Sequence, residues 1–190
     1  MPVAKVANEL STTPPSASTY ETRYVKGYGN YQNMNEIVVR RASASDIDAL
    51  VEFNQGIALE TEDMQLDSKT LRTGIGRLLS DESLGFYFVA EIGNRVAGCL
   101  MVTFEWSDWR NAVFWWIQSV YVHADFRRQG VYRALYEHVR TEAASENVCG
   151  FRLYVEKDNE IAQKTYESLG MRESVYLMYE QPTEKVTIYP

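Results

Sequence analysis

The segment RRQGVYR, at residues 127–133, separates a stretch typical of a β-strand from one typical of an α-helix. The preceding residues VFWWIQSVYV are rich in aromatic and β-branched side chains, which favour strands. The following residues VYRALYEHVRTEAAS place Val131, Leu135 and Val139 on one helical stripe. A second strand-like segment, GFRLYVE, comes next. Residues 117–155 therefore predict a right-handed crossover between two parallel strands.

The glycine in this turn predicts a binding site for an anion. A tight turn at Gly130 lets several backbone N–H groups point at one spot, and the helix N-terminus adds partial positive charge. Arg127, Arg128 and Arg133 add local cationic charge to a chain whose formal net charge is −7. A chain this acidic is poorly suited to grip DNA or RNA phosphates over most of its surface. The pattern favours a small phosphate-bearing ligand, and the acidic remainder suits a cationic co-substrate.

The remaining sequence alternates between strand-like and helix-like segments. The strand-like segments are EIVVRRA, GFYFVAEI, RVAGCLMVTFEW and MRESVYLMYEQ, and the helix-like segments are SASDIDALVEFNQGIALE, DSKTLRTGIGRLLS and DNEIAQKTYESLG. The Gly-Asn pair between the second and third of these strands predicts a hairpin. This order predicts an α/β protein of the α+β type, in which a mixed sheet of about six to seven strands is flanked by about four helices.

The chain is expected to form one domain between two short terminal segments. Residues 1–35 are polar and carry STTPPSAST and YVKGYGNYQN without a sustained period, which predicts a flexible tail. Residues 36–181 form the predicted domain, and residues 182–190 a C-terminal tail or an edge strand. No stretch reaches the ~20 apolar residues of a membrane span, and the N-terminus lacks the apolar core of a signal peptide. We therefore expect a cytoplasmic protein that does not bind a membrane.

The cysteines and histidines of the sequence predict neither a disulfide nor a metal site. Cys99 and Cys149 each lie in an apolar strand-like run and are expected to be reduced core thiols rather than a disulfide. With two histidines and no C-x-x-C, no metal site is predicted.

Two motifs occur in order along the chain. The first, [Arg/Gln]-x-x-Gly-x-[Gly/Ala], is met over residues 127–132, where Tyr132 replaces the small last residue. The second, Asn-x-x-Ala-x-x-x-Tyr-x-x-x-Gly-Met/Phe, is met by Asn159, Ala162, Tyr166, Gly170 and Met171. With the helix and strand between them, these motifs resemble the GNAT superfamily of acetyl-coenzyme A-dependent acyltransferases. The resemblance covers roughly residues 37–181.

The resemblance implies that acetyl-CoA is the co-substrate. It implies that the backbone of Val120, Tyr121 and Val122 pairs with the pantetheine arm, and that an N–H there polarises the thioester carbonyl. Main-chain amides of the first motif would hold the pyrophosphate. The coenzyme-binding residues expected from the two motifs are Arg127, Arg128, Gln129, Gly130, Val131, Tyr132, Arg133, Asn159, Ala162 and Tyr166. Two alternatives stay open, since Asn159 is equally explained as a helix cap and the Tyr132 ring must either turn away or reshape the pyrophosphate site.

Tyr166 is the expected general acid. A phenol with a reference pKa of ~10 keeps its proton near neutral pH and can protonate a departing thiolate. The simpler alternative is an aromatic residue that only fills the core. The base is less defined, because Gln118 stands where many relatives carry a carboxylate and an amide cannot accept the proton of the amine. Glu105 and Glu60 are the remaining candidates, acting through water, and each is equally explained as a surface carboxylate.

The expected activity is transfer of an acetyl group to a primary amine of a small molecule or a peptide. Trp106, Trp109 and Gln118 are the candidate residues for binding that acceptor, since large apolar residues near a turn often serve binding. The alternative is a catalytically silent acetyl-CoA-binding or interaction module, which Gln118 favours and which Tyr166 and Asn159 disfavour. A homodimer is a further expectation, and the sequence leaves the acceptor and the acyl length open.

Overall fold

The protein's structure, a computed structural model, describes residues 36–181. Within that range five strands and four helices alternate along the chain. The strands are β1 (Ile37–Arg41), β2 (Phe86–Ile92), β3 (Arg95–Ser107), β4 (Ala112–Val122) and β5 (Val148–Arg152). The helices are α1 (Ile47–Glu62), α2 (Ser68–Ser80), α3 (Val131–Ala143) and α4 (Glu160–Ser168). The helical segments expected from the sequence are all present, with ends shifted by a few residues.

The five strands form one mixed sheet in the order β1-β2-β3-β4-β5. Strands β1 to β4 pair antiparallel with their neighbours, and β5 pairs parallel with β4. The predicted hairpin is confirmed, because β2 and β3 are joined through Gly93, whose φ is +60°. The parallel pair β4 and β5, with α3 between them in the chain, confirms the crossover pairing that the segment around RRQG predicts.

Each face of the sheet carries its own pair of helices. On one face α1 and α2 pack over an apolar cluster that includes Leu50, Phe53 and Val89. On the opposite face α3 and α4 cover a larger cluster, in which Leu135 and Trp115 are buried. Apolar side chains alternate along the strands between these two clusters, as a sheet covered on both faces requires.

The sheet has fewer strands than the six to seven expected. The predicted final strand, residues 171–181, is wrong: the structure assigns no strand there, and Val175 and Tyr179 are about nine-tenths exposed. The prediction rested on β-propensity, which depends strongly on context, and no neighbouring strand in residues 36–181 pairs with this segment. The strand predicted in GFRLYVE also ends early, at Arg152. The predicted tail over residues 1–35 and the tail or edge strand over residues 182–190 lie outside the described residues.

Two further expectations can be compared with residues 36–181. Cys99 is buried and Cys149 half-buried, and both are free thiols. None of the four helices has the length and apolarity that a membrane span requires.

An ion pair joins β1 to the start of α1. The guanidinium of Arg40 donates to both carboxylate oxygens of Asp46 at 2.8 Å, and it also contacts Glu91 on β2. Asp46 is buried, and it accepts a further hydrogen bond from the backbone N–H of Ser43 at 2.7 Å. The hydrogen bonds from Arg40 hold the pKa of Asp46 below its ordinary value. This carboxylate therefore fixes the angle at which α1 leaves the first strand.

We expect Asp46→Asn to lower the free energy of unfolding by about 2 kcal/mol, the scale of hydrogen bonds to a charged group. Because the folded pKa of Asp46 is depressed, its contribution is present above pH ~4 and is lost as the pH falls further. The variant should therefore show a shallower acid limb than the wild type in urea denaturation at a series of pH values. Asp48→Asn is the matched control, since Asp48 pairs with Arg72 in solvent. Equal effects of the two substitutions would contradict the assignment.

Candidate active site

The strands β4 and β5 separate after a short shared stretch. Their pairing covers Val113–Trp116 of β4, and β5 ends at Arg152. From residue 117 to residue 122, β4 has a partner strand on the β3 side alone within the described chain. Ser119 has a φ of +46° at the register shift between β3 and β4, which bends the strand at this point. The backbone groups of β4 that face away from β3 can therefore pair with another extended chain.

The turn predicted to bind an anion is built as the sequence suggests. Gly130 is the N-cap of α3 with a φ of +84°, and Arg128 also has a positive φ of 62°. The first N–H groups of α3, from Val131 to Arg133, have no acceptor within the helix. The 13-residue helix adds its partial positive charge at the same point. The turn can accordingly hold a phosphate mainly through its backbone.

The three arginines of this turn have different roles. Arg128 and Arg133 are exposed. Arg127 instead donates to both carboxylate oxygens of Glu60 at 2.8 Å and, through Nε, to the carbonyl of Val122 at 3.0 Å. Its guanidinium thus ties the end of β4 to the end of α1, while its neighbours extend into solvent.

Tyr121 completes this link between α1 and β4. Its hydroxyl donates to Glu60 at 2.9 Å, and burial together with that carboxylate raises the pKa of Tyr121 to about 12. The ring lies against Gly56, where an added Cβ would be 2.8 Å from the hydroxyl oxygen. A glycine inside a helix costs stability, and here it makes room for the tyrosine. Sequence reasoning missed this contact, and the glycine within the α1 pattern was its only signal.

Tyr166 and Tyr132 lie next to each other on the α3–α4 side of the sheet. Their ring centroids are 6.0 Å apart, and burial raises the pKa of both phenols well above the ordinary value. Neither hydroxyl has a hydrogen-bond partner among residues 36–181. A buried polar group left unpaired costs about 1–3 kcal/mol. The sequence left open whether the Tyr132 ring turns away from the glycine turn or reshapes it. In the structure the ring turns inward, into the core.

Asn159 is the first residue of the second motif and caps α4. Its Oδ1 accepts a hydrogen bond from the N–H of Ala162 at 3.1 Å, so the capping role left open by the sequence is present. Ala162 is fully buried in the same cluster as Tyr166. The small side chain lets α4 approach the sheet closely at this point.

A polar and aromatic cluster lies on the face of the sheet that also carries α1, on strands β3, β4 and β5. Glu105 accepts from the indole N–H of Trp116 at 2.6 Å and from Arg152, whose guanidinium lies 3.9 Å from the ring centroid of Phe114. Gln118 lies on the same face and donates to the hydroxyl of Thr103. The Trp116 ring also contacts Tyr154, at 4.5 Å between centroids. This face can hold an acceptor molecule through aromatic rings and hydrogen bonds.

The structure does not bring all candidate acceptor residues together. Trp106 follows Glu105 in β3, so strand alternation points it to the opposite face from Gln118. Trp109 lies in the turn between β3 and β4 and is 89% exposed. Sequence reasoning missed Arg152 and Trp116 as partners of Glu105, although an arginine in the apolar run GFRLYVE was a usable signal.

Comparisons with known proteins agree with this geometry. The model of the acetyltransferase (GNAT) family matches residues 48–171. A possible acetyltransferase from Clostridium difficile 630 is 44% identical; the match covers 77% of this chain and 97% of that chain, with a TM-score of 0.73. A comparison with curated proteins found no match.

Two solved structures with lower identity share the fold. A predicted acetyltransferase with acetyl-CoA from Clostridium acetobutylicum is 18% identical, covers 77% of this chain and 96% of its own, and has a TM-score of 0.64. An aminoglycoside acetyltransferase from an uncultured soil metagenomic sample, in complex with sisomicin, is also 18% identical. It covers 77% of this chain and 97% of its own, with a TM-score of 0.63.

The buried phenols predict an alkaline limit to stability. Burial raises the pKa of Tyr87 to about 12 and that of Tyr166 further, whereas an unfolded tyrosine ionises near ~10. Their contribution is complete below pH ~10 and is lost as the pH rises through the folded values. Above pH ~10 the free energy of unfolding should fall by about 1.4 kcal/mol per pH unit for each tyrosine that keeps its proton.

Denaturant unfolding at rising pH, followed with tyrosinate absorbance, measures this slope. Tyr166→Phe should reduce the slope, and Tyr176→Phe, at an exposed position, should leave it unchanged. A wild-type chain that keeps constant stability up to pH ~12 would refute the prediction.

Proposed function

The chain belongs to the GNAT acetyltransferase family, and we propose that it transfers the acetyl group of acetyl-CoA to a primary amine of a small molecule or a peptide. When bound, this co-substrate supplies an acetyl group activated as a thioester. The observation that carries the proposal is the buried hydroxyl of Tyr166, unpaired within residues 36–181. It belongs to the cluster that also contains Val120, on the open edge of β4, and Val131, at the start of α3. Residues 36–181 are proposed as the catalytic domain.

The residues present fit a nucleotide-tailed thioester. The open edge of β4 offers the backbone of Val120, Tyr121 and Val122 to the extended arm. The glycine turn offers the first N–H groups of α3 to the phosphates, with Arg128 and Arg133 exposed beside it. Among residues 36–181 the buried phenol of Tyr166 has no acceptor, as expected of a group reserved for a ligand.

Tyr166 is proposed to donate the proton that the departing sulfur requires. Its raised pKa keeps the phenol protonated throughout the neutral range. The raised pKa also makes Tyr166 a weaker acid. The hydrogen bond that it donates to sulfur is therefore as important as complete proton transfer. Tyr166 is then reprotonated from solvent, and the proton that the amine nitrogen loses as the amide forms leaves by way of the base, so that one proton is lost from nitrogen for each one gained by sulfur.

The acceptor is proposed to bind on the face that carries Glu105 and Gln118. Aromatic rings on this face already hold one cation, the guanidinium of Arg152, over Phe114 and Trp116. Such a surface is suited to an amine, because aromatic rings attract cations and the amide of Gln118 can orient a neutral nitrogen. The soil aminoglycoside acetyltransferase that shares this fold is in complex with sisomicin.

The two candidate bases differ in their surroundings. Glu105 lies on the proposed acceptor face, where it contacts Arg152 and Trp116. Glu60 lies beside the glycine turn, where it contacts Arg127 and Tyr121. We therefore propose Glu105 as the group that accepts the amine proton through water, and Glu60 as the group that positions Arg127.

Tyr166→Phe should lower kcat by roughly 10²-fold, the scale of losing a general acid, and should leave the KM for acetyl-CoA nearly unchanged. The measurement is release of free thiol from acetyl-CoA across a panel of primary amines. Tyr176→Phe, which alters an exposed tyrosine, is the control. Tight coenzyme binding without turnover of any amine would support the silent binding module instead.

Substitutions of Glu105 and Glu60 should affect different steady-state constants. Glu105→Gln should lower kcat by roughly 10²-fold with little change in the KM for acetyl-CoA, since the variant has no base. Glu60→Gln keeps the size of the side chain but loses the charge that holds Arg127, so it should mainly raise the KM for acetyl-CoA. If both variants kept wild-type rates, the proton would pass to solvent and neither carboxylate would be the base.

A further inference from the structure

Tyr132 carries a hydroxyl that the fold itself does not use. Its side chain is the largest of the fully buried ones, and its hydroxyl has no hydrogen-bond partner among residues 36–181. Its ring packs against Tyr136 and Tyr166, at centroid distances of 6.2 and 6.0 Å. A buried phenol usually finds a partner, as Tyr87 does with Asn54 in the other cluster. An unpaired phenol at this position therefore requires a reason.

The location of Tyr132 links the two parts of the proposed coenzyme site. It is the second residue of α3, directly after the glycine turn, and its ring meets Tyr166 of α4 edge-on at 69°. The hydroxyls of Tyr132 and Tyr166 share one property: both are buried and lack partners within the described chain. One ligand atom able to accept two hydrogen bonds would satisfy both phenols.

We propose that Tyr132 is a second hydrogen-bond donor to the coenzyme sulfur, beside Tyr166. The inference rests on the proposed function, because it places the thioester in the cleft between β4 and β5. Tyr132 stabilises the electron pair that moves to sulfur as the carbon–sulfur bond breaks, and it keeps its own proton. Tyr166 supplies the proton and is later reprotonated from solvent, while the amine nitrogen gives up its proton through water to Glu105. Two donors act on a thiolate more strongly than one, since hydrogen bonds to an anion are charge-assisted.

A second donor also removes a difficulty in the single-phenol mechanism. Burial holds the pKa of Tyr166 above that of an ordinary thiol, ~8.5, so complete proton transfer to sulfur is unfavourable. A hydrogen bond from Tyr132 lowers the energy of the thiolate without any transfer. Less proton transfer from Tyr166 is then needed as the carbon–sulfur bond breaks.

The test compares Tyr132→Phe with Tyr136→Phe. Tyr136 lies one turn later on α3, its ring is buried and its hydroxyl is not among the unpaired buried atoms, so it is a matched control. Calorimetry measures the affinities for coenzyme A and for desulfo-coenzyme A, which lacks the sulfur, at a pH above the thiol pKa. The wild type should prefer coenzyme A, Tyr132→Phe should lose roughly 10-fold of that preference, and Tyr136→Phe should keep it.

Thermal unfolding without ligand provides an independent readout. Tyr132→Phe removes an unpaired buried hydroxyl, so its Tm should equal or exceed that of the wild type. The combination of unchanged or higher Tm, lost preference for the thiol and a kcat lowered by roughly 10²-fold is the expected result. A tyrosine that only stabilised the fold would lower the Tm when substituted and leave the discrimination between the two ligands intact.

Two results overturn the inference, and they are distinguishable. If Tyr132→Phe keeps the full preference for coenzyme A over desulfo-coenzyme A, the hydroxyl does not contact sulfur, and the proposed function stands. If the wild-type chain binds neither molecule, the proposed function fails and the inference fails with it. A double variant, Tyr132→Phe with Tyr166→Phe, should abolish the preference, since both hydroxyls act on one atom.

Discussion

The separation of β4 from β5 is the constraint on which the site depends. The two strands are paired only as far as Trp116 of β4. The positive φ of Ser119 then bends β4, and β5 does not cover the rest of its edge. An unpaired strand edge inside a protein leaves backbone groups unsatisfied unless a ligand or another chain pairs with them. Within residues 36–181, the stretch of β4 that lacks a partner opposite β3 ends beside the glycine turn, where Arg127 donates to the carbonyl of Val122.

An ion pair joins the glycine turn to α1, in addition to the packing of Tyr121 against Phe53 and Gly56. Arg127 spans from the carbonyl of Val122 to Glu60, so the turn, the end of β4 and the end of α1 form one unit. The partners are partly exposed, and a fully exposed pair would contribute little. The bidentate geometry and the added hydroxyl of Tyr121 make this pair more directional than a simple surface contact. Its contribution is to orient the turn, more than to stabilise the fold.

Much of this arrangement could be read from local sequence. The glycine at position 130, the helical stripe of α3 and the Gly-Asn hairpin are short-range signals, and each predicted its element correctly. Two features could not be read in that way. The early end of β5 depends on the divergence from β4, since Leu153 and Val155 have strand-forming side chains in the absence of a partner. The arginine partners of Glu60 and Glu105 lie 67 and 47 residues away in the sequence, so only the tertiary fold brings these charges together.

The occupied carboxylates explain how an acidic chain can present a nearly neutral reaction site. Glu60 and Glu105 each contact an arginine, and Gln118 on β4 carries an uncharged amide. An ammonium ion moved from water to such a surface loses hydration without gaining an uncompensated anion, which favours its neutral form. The neutral amine is the form that attacks a thioester. The net charge of −7 would attract a cationic acceptor of the kind proposed from a distance, and the locally balanced face would then favour loss of its proton. The proposed base would then need to accept a proton only after nitrogen has bonded to carbon.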